Sequence, residues 1–182
     1  MNSVTSLLRL HQHRAWVNEK LLSAAATLDE EQIRQPFAIG QGSVWNTLLH
    51  LLGAEYVWLE TILGNENPRM PGDLPDAIVG NQLADDGIQT LERLKQVWGE
   101  LDLRWSSYLE HLTEADLVKP ITKVSTSSHY GERRTTALMD ILLHVCTHAH
   151  YTAAQMVNML RQLGVQDLPD PMLITLARNE SS

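Results

Sequence analysis

Histidines spaced one helical turn apart are the residues of this chain best suited to chemistry. His144 and His148 lie four positions apart, and Thr152 follows at the same interval. Side chains at this spacing are neighbours on a helix surface, so the three residues form a ladder. Relative to the apolar arc of the same helix, His148 and Thr152 face the core, His144 lies on its flank, and His150 is nearly opposite. His148 is therefore the best candidate ligand of this helix and His150 the worst.

Two imidazoles one turn apart can share a Zn²⁺, Ni²⁺ or Fe²⁺ ion, because each Nε2 atom reaches about 2.0–2.1 Å to a common point. A third ligand must then come from elsewhere in the chain. His50 lies in the most apolar helical segment, and a buried neutral imidazole needs a partner for its lone pair as well as for its N–H. A metal ion would satisfy the lone pair, and a core histidine bonded to a carbonyl or a water is the alternative.

The other signatures of catalysis are missing from the sequence. No Glu-x-x-His precedes any of the eight histidines, which excludes the di-iron carboxylate bundles, and there is no HExxH, GxSxG or P-loop motif. Cys146 lies within a helix without an obvious base and is predicted to be a buried, inert thiol. His11 is predicted to lie in the core, whereas His13, His111 and His129 are predicted to be solvated.

Composition limits the classes of function further. The 182 residues suit one domain, 1–182, and 14 Lys and Arg against 22 Asp and Glu give a net charge of −8. This charge argues against binding to nucleic acid or to an anionic membrane. The single cysteine indicates a reducing, cytoplasmic setting. The best apolar run, Val44–Leu63, is interrupted by polar residues, so no membrane span is expected.

Apolar periodicity predicts an all-α chain with four long helices. The helices are expected from Ser3 to about Leu28, from an N-cap at Ser43 to about Leu63, from near Gln82 to Leu112, and from about Thr135 to Leu163. Residues 119–134 favour a small β-hairpin, and a short apolar segment at 172–177 is expected to dock on the bundle. Four helices with one apolar arc each pack most simply as a four-helix bundle, and the long middle connections leave its topology open.

The second predicted helix has two different faces. Glu55 falls within its wide apolar arc, which predicts either a buried, hydrogen-bonded carboxylate or an interface residue. His50 lies on the narrower face with Gly53, Ala54 and Val57. Small residues on this face either border a pocket or permit close packing of another element.

Three segments together resemble one family. Trp16–Leu22, Ser43–His50 followed by Trp58–Leu59, and Leu142–His148 ending at Gln155 are similar to the DinB (damage-inducible B, YfiT-like) metal-binding bundles. The resemblance implies a four-helix bundle of non-sequential topology that forms a homodimer. It also implies a divalent metal, Ni, Zn or Fe, held by one histidine of the second long helix and two of the fourth. The implied activity on a small-molecule substrate is that of a metal-dependent hydrolase or a thiol-dependent transferase.

Carried over residue by residue, the family pattern matches His50 and His148. Its last histidine is replaced by Thr152, and its Arg-Gly pair by Ala153-Ala154. A threonine hydroxyl is a poor ligand for a borderline-soft ion, so His144 or water must complete the site if the site is used. The alternative is a metal-free dimeric binding or scaffold bundle whose site has degenerated. Neither the catalytic residues nor the substrate can be assigned from the sequence.

Overall fold

The computed structural model describes residues 2–75, 77–125 and 131–181. Within these ranges the chain forms six helices and two strands. In chain order they are α1 (Ser3–Ala25), α2 (Glu30–Arg34), α3 (Val44–Ile62), α4 (Leu91–Glu110), β1 (Pro120–Val124), β2 (Arg133–Ala137), α5 (Leu138–Gln162) and α6 (Leu173–Asn179). Among the described residues, no helix combines the length and apolar character needed to cross a membrane.

The four long helices form the predicted bundle, in a non-sequential order. Helix α5 packs on both α1 and α3, and α4 packs on the same two helices from the other side. Helices α1 and α3 are consecutive long helices, yet their main neighbour is α5. Trp98 of α4 contacts Glu55 of α3 and Arg104 contacts Glu60, so the two helices run in the same direction. The long connection between them therefore runs back along the bundle, and Gly80 within it packs against Leu49 of α3.

The core confirms the predicted apolar arcs. On α4 the buried side chains are Leu94, Trp98, Leu101, Trp105 and Leu109. They recur every three to four positions and so form one stripe. Trp98 and Trp105 are among the largest fully buried side chains of the protein, and burying an aromatic residue of this kind contributes about 1.5–3 kcal/mol.

The first two predicted helix boundaries are largely confirmed. The Ser43 hydroxyl accepts a hydrogen bond from the Asn46 N–H at 3.1 Å, so α3 begins where the N-cap residue predicts. Helix α1 ends three residues earlier than expected. The short helix α2 was not predicted; a reciprocal capping box between Asp29 and Gln32 starts it, and Ile33 anchors it in the core.

The predicted start of the third long helix, near Gln82, is wrong, because α4 begins at Leu91. Gln82 has a φ of 50°, which a helix does not allow. Its side-chain amide donates hydrogen bonds to the Pro71 carbonyl at 2.9 Å and to Asp73 at 2.7 Å. These bonds hold the preceding segment in an irregular loop, and Thr90 provides the N-cap instead.

The β-hairpin is confirmed, although its second strand extends further than expected. Strands β1 and β2 are antiparallel, with Thr122 opposite Thr135. The β-branched Thr135 and Thr136 belong to β2, so α5 begins at Leu138 rather than at about Thr135. Strand β1 packs on α3 and β2 on α5. Part of the predicted hairpin, residues 126–130, lies outside the described residues.

The apolar tail segment docks as predicted. It forms α6, which packs on α1 and buries Leu176.

Candidate metal centre

His50 lies in the first half of helix α3. The His50 ring is half-buried, and its Nδ1 atom lies 3.1 Å from the Val79 carbonyl oxygen. A carbonyl only accepts hydrogen bonds, so the Nδ1 atom of His50 carries the proton and Nε2 keeps its lone pair. Burial lowers the pKa of His50, which favours this neutral form.

The Val79 carbonyl reaches His50 because two glycines let the loop approach the helix. Gly80 has a φ of +79°, and a Cβ atom there would lie 2.2 Å from the Leu49 carbonyl oxygen. A Cβ atom on Gly53 would lie 2.6 Å from the Gly80 nitrogen. Only glycine fits at either position. The small residues beside His50 therefore serve both predicted purposes, since Gly53 permits close packing and Ala54 borders a pocket.

Helix α5 brings His148 to His50. The two Nε2 atoms lie 3.2 Å apart, and the rings meet edge to face with centroids 5.1 Å apart. Burial lowers the pKa of His148 to about 4, and the neighbouring His50 and His144 rings act in the same direction. Both imidazoles are therefore neutral at pH 7, the state in which a histidine binds a metal.

The third predicted ligand, His144, lies at the edge of this pair. Its ring centroid is 5.7 Å from that of His148 and 5.3 Å from the Trp58 ring, which it meets edge to face. His144 is exposed, but packing of its ring beside Trp58 and His148 removes part of its hydration and lowers its pKa. Over residues 2–75, 77–125 and 131–181, no three His, Cys, Asp or Glu side chains are arranged to hold a metal ion. The close pair is thus His50 and His148, and the His144 ring lies beside that of His148.

Thr152 lies one turn beyond His148 on α5 and is buried, as predicted. It is not among the described residues that line the pocket next to the histidines. The pocket is therefore lined by His50, His144 and His148, whereas Thr152 is not part of its lining.

A cavity of about 370 Å³ opens beside the three histidines. Its other walls come from α3, the 78–79 loop and the β-hairpin, and we call it the histidine cavity. A volume of this size suits a small molecule. A larger cavity of about 690 Å³ lies between α1 and the segment after α5, lined by Trp16 and Leu168 among others. It includes no histidine or cysteine among its described residues, so the smaller cavity is the better candidate site.

A buried polar network lies behind the site, on the opposite face of α3. The Glu55 carboxylate forms an ion pair with Arg14 and accepts hydrogen bonds from Asn18 at 2.8 Å and Trp98 at 3.1 Å. Arg14 also contacts Asp102 at 3.2 Å. Glu55 is thus the buried, hydrogen-bonded carboxylate, one of the two predicted roles. Arg14 was not among the predicted site residues, although its position one turn before Asn18 is a signal of a polar patch in the α1 stripe.

The remaining histidines and the cysteine mostly follow the predictions. His11 is buried and stacks near Trp105 at 5.1 Å, and His111 and His150 are exposed. The prediction of a solvated His13 is wrong, because the segment after α5 covers it and its Nε2 donates to the Pro171 carbonyl at 2.8 Å. His129 lies outside the described residues.

Cys146 is buried as predicted. Burial raises the pKa of its thiol to about 12, which makes it unreactive at neutral pH.

Comparison with known protein sequences agrees with the family resemblance of the three segments. The sequence model of the DinB family matches residues 1–179. The protein DinB of Bacillus subtilis (strain 168) is 24% identical over 163 residues, which cover 88% of each chain.

Two solved structures have the same fold. YfiT from Bacillus subtilis, described as a probable metal-dependent hydrolase with an unusual four-helix bundle topology, superposes with a TM-score of 0.64 at 20% identity over 87% of both chains. A DinB-like protein from Bacillus cereus ATCC 10987 superposes with a TM-score of 0.61 at 15% identity, covering 88% of this chain and 94% of the other. With residues 1–179 of its 182 matched by the family model and its fold shared with these structures, the chain belongs to the DinB family.

Proposed function

We propose that this protein is a metal-dependent hydrolase that holds a divalent ion between His50 and His148. The observation that carries the proposal is the 3.2 Å separation of the two Nε2 atoms. Two nitrogens that each lie 2.0–2.1 Å from one tetrahedral ion are about 3.3 Å apart. The pair therefore fits an ion with little rearrangement, and this fit comes from the chain's own geometry.

The Val79 carbonyl gives the pair a second feature of metal ligands. Histidines that bind metals commonly donate their other ring N–H to a carbonyl, which fixes the tautomer and the ring orientation. His50 has this arrangement through its Nδ1 atom. We assign the third protein position to His144, the remaining imidazole of the histidine cavity, with water as the alternative.

The cavity walls suit a site that holds a small substrate beside the ion. Trp58, Ile121 and Ile141 line the histidine cavity next to the imidazoles, and such apolar walls exclude water and strengthen electrostatic interactions inside. A divalent ion in this place supplies Lewis-acid catalysis, which suits hydrolysis. The chain's own residues then bind the ion, orient the substrate and limit solvent. YfiT, with the same fold, is described as a probable metal-dependent hydrolase.

Metal uptake tests the proposal directly. Chelator-treated protein is incubated separately with Ni²⁺, Zn²⁺ and Fe²⁺, freed of excess ion and measured by elemental analysis. We expect about one ion per chain in the wild type and strong loss in His50→Ala and His148→Ala. His150→Ala is the matched control, because His150 is exposed on the same helix, and it should bind as the wild type does. Absence of bound ion in the wild type, or equal loss in the control, would contradict the proposal.

Two other functions follow from the sequence and need their own tests. A metal-free dimeric binding bundle is favoured by one observation, the buried Thr152 outside the histidine cavity. It predicts a dimer by light scattering together with no metal uptake. A thiol-dependent transferase predicts metal-dependent conjugation of glutathione or bacillithiol, whereas the hydrolase proposed here predicts none.

A further inference from the structure

Four ring side chains surround one small side chain where α3 faces α5. On α3, His50, Ala54 and Trp58 follow one another at intervals of one helical turn, and all three line the histidine cavity. The His50 ring meets His148 of α5, with 3.2 Å between the Nε2 atoms. The Trp58 ring meets His144, one turn earlier on α5, with 5.3 Å between the centroids. On α3, the position between these two contacts is Ala54, which carries a methyl group alone.

The space beside Ala54 belongs to the histidine cavity. Its neighbour Gly53 is closed off by the loop, since a Cβ atom there would lie 2.6 Å from the Gly80 nitrogen. Ala54 is half-buried instead and lines the cavity of about 370 Å³. A longer side chain at position 54 would extend into this volume next to the imidazoles. The small size of Ala54 therefore leaves room for part of a ligand beside the histidines.

The helices that carry the histidines supply apolar walls to this space. Val57 of α3 and Ile141 of α5 line the cavity, and both are buried. Ile141 lies one turn before His144, and Ile121 of β1 completes the apolar lining. Among the described residues of the lining there is no Asp or Glu. A group that lies beside Ala54 would therefore meet mainly hydrocarbon.

We infer that Ala54 is a specificity-determining residue: the space beside it takes the compact apolar group, a phenyl ring or a short alkyl chain, of an amide or ester whose scissile carbonyl lies at His50 and His148. The position of the carbonyl rests on the proposed function, whereas the binding of the apolar group does not require a metal. Removing this group from water and packing it against Trp58 and Ile141 favours binding. A larger residue at position 54 would occupy the same space and exclude it.

Two amides that differ in the apolar group alone test the inference on chelator-treated protein. Benzamide carries a phenyl ring where acetamide carries a methyl group. Protein labelled with ¹⁵N is titrated with each amide and followed by NMR. The indole N–H signal of Trp58 reports on the histidine cavity and that of Trp16 on the larger cavity, and each is assigned by its loss in the Trp→Phe variant.

We expect benzamide to move the Trp58 signal with a Kd at least about tenfold below that of acetamide. The reason is that burying a phenyl ring removes far more apolar surface from water than burying a methyl group. The inference would be overturned by a Trp58 signal that benzamide does not move, by equal affinity for the two amides, or by movement of the Trp16 signal alone.

Substitutions of graded size assign the effect to position 54. Ala54→Ser is nearly as small as alanine and should bind benzamide as the wild type does. Ala54→Val should bind it more weakly, and Ala54→Leu at least about tenfold more weakly, because each fills more of the space. Ala154→Leu is the control, since Ala154 is exposed on α5, and it should bind as the wild type does. Unchanged binding in Ala54→Val and Ala54→Leu, or an equal loss in Ala154→Leu, would overturn the inference.

Metal uptake by the same proteins separates this inference from the proposed function. We expect Ala54→Leu to take up metal as the wild type does, because Ala54 is not a ligand. A wild-type protein that selects benzamide through Ala54 but takes up no ion would refute the proposed function and leave this inference standing. Uptake of the ion without any selection for benzamide would refute the inference alone.

Discussion

The Nε2 atom of His50 lies 3.2 Å from the Nε2 atom of His148, although 98 positions separate the two residues in the chain. The bundle order makes this contact, because α3 and α5 are direct neighbours. Each helix has a side that favours the contact: α3 presents its small residues, and α5 presents its histidine ladder. The pair is therefore a consequence of topology, and its use as a metal site depends on the groups that surround it.

The contact of Gly80 with α3 is predicted to support the metal site. Gly80→Ala would place a Cβ atom 2.2 Å from the Leu49 carbonyl oxygen, and the left-handed backbone there adds about 1–2 kcal/mol of strain. The loop must move away, and the Val79 carbonyl moves with it. Losing a partner of this kind lowers metal affinity about 10- to 100-fold. Calorimetric titration with Zn²⁺ and urea unfolding should therefore show both weaker binding and lower stability.

Gly99→Ala is the control for that substitution. Gly99 lies exposed within α4, and a Cβ atom there meets nothing within 4 Å. The change should raise stability by about 0.5–1 kcal/mol and leave Zn²⁺ affinity unaltered. Unaltered affinity in Gly80→Ala as well would show that the Val79 carbonyl does not support His50.

His144 is predicted to contribute less to metal affinity than the close pair. Its ring lies 5.7 Å from that of His148 and packs on Trp58, so it must turn to reach an ion. His144→Ala should weaken Zn²⁺ binding only about tenfold, a loss as small as that of a group behind a ligand, because turning the ring offsets part of what the third ligand gains, whereas His148→Ala should abolish measurable binding. Competition with a chromophoric chelator measures both constants. Equal losses in the two variants would show that the ion holds His144 as firmly as the close pair, and no loss would leave water as the third ligand.

The buried ion pair of Arg14 and Glu55 is predicted to be a sensitive point for stability. Both side chains are nearly inaccessible, and removing the Glu55 charge leaves the buried Arg14 with only the partly exposed Asp102 as its anion, which costs up to about 3–5 kcal/mol. Glu55→Gln should therefore lower the free energy of unfolding by that amount in urea. The double variant Arg14→Met/Glu55→Leu should recover part of the loss, because it removes both charges of the pair, while Asn18 and Trp98 lose their acceptor and Asp102 loses its cation.

The exposed pair of Arg9 and Glu180 provides the comparison. It is bidentate but open to solvent, so Glu180→Gln should change the unfolding midpoint little. A midpoint shift as large as that of Glu55→Gln would mean that burial does not determine the cost.

His11 is predicted to make the protein less stable in acid. Burial lowers the pKa of His11 to about 3 in the folded state, and the Arg14 charge acts in the same direction. In the unfolded chain the pKa of His11 is about 6.5. As the pH falls, the unfolded chain therefore binds the proton before the folded protein does. The stability from the neutral ring is therefore fully present above pH 6.5 and is lost as the pH falls toward 3, by at most about 1.4 kcal/mol per pH unit.

Unfolding in urea at pH 7 and at pH 5 measures the contribution of His11 to the pH dependence of stability, when variants are compared. His11→Phe keeps an aromatic ring next to Trp105 and removes the titrating group, so its stability should fall less between the two pH values than that of the wild type. His111→Phe changes an exposed residue and should behave as the wild type does. Identical pH dependence in His11→Phe and the wild type would contradict the prediction.

The sequence was informative wherever a signal is local. The N-cap at Ser43, the apolar stripe of α4 and the ladder of His144 and His148 all depend on spacing within one helix, and the structure confirms them. The start of α4 was wrong because Gln82 is held by the carbonyl of Pro71, which no periodicity reveals. Helix boundaries that depend on long-range hydrogen bonds cannot be predicted from the local sequence pattern.

The candidate site also contains residues that the sequence predicts and residues that it does not predict. His50 stands out in the sequence because a histidine in an apolar helix needs a partner, but the Val79 carbonyl that meets it belongs to a long irregular loop. His13 was misjudged because its cover comes from Pro171, far along the chain. Lys123, which lines the histidine cavity, was not predicted, since its burial depends on how the hairpin folds onto the bundle. Residues positioned by loops and by the hairpin therefore required the structure.

The most direct test of the metal site is diffraction from crystals grown after loading with Zn²⁺, with data collected on both sides of the zinc absorption edge. We expect one anomalous peak per chain about 2.0–2.1 Å from the Nε2 atoms of both His50 and His148. A peak elsewhere, or none beside these two atoms in fully loaded protein, would contradict the proposed metal centre.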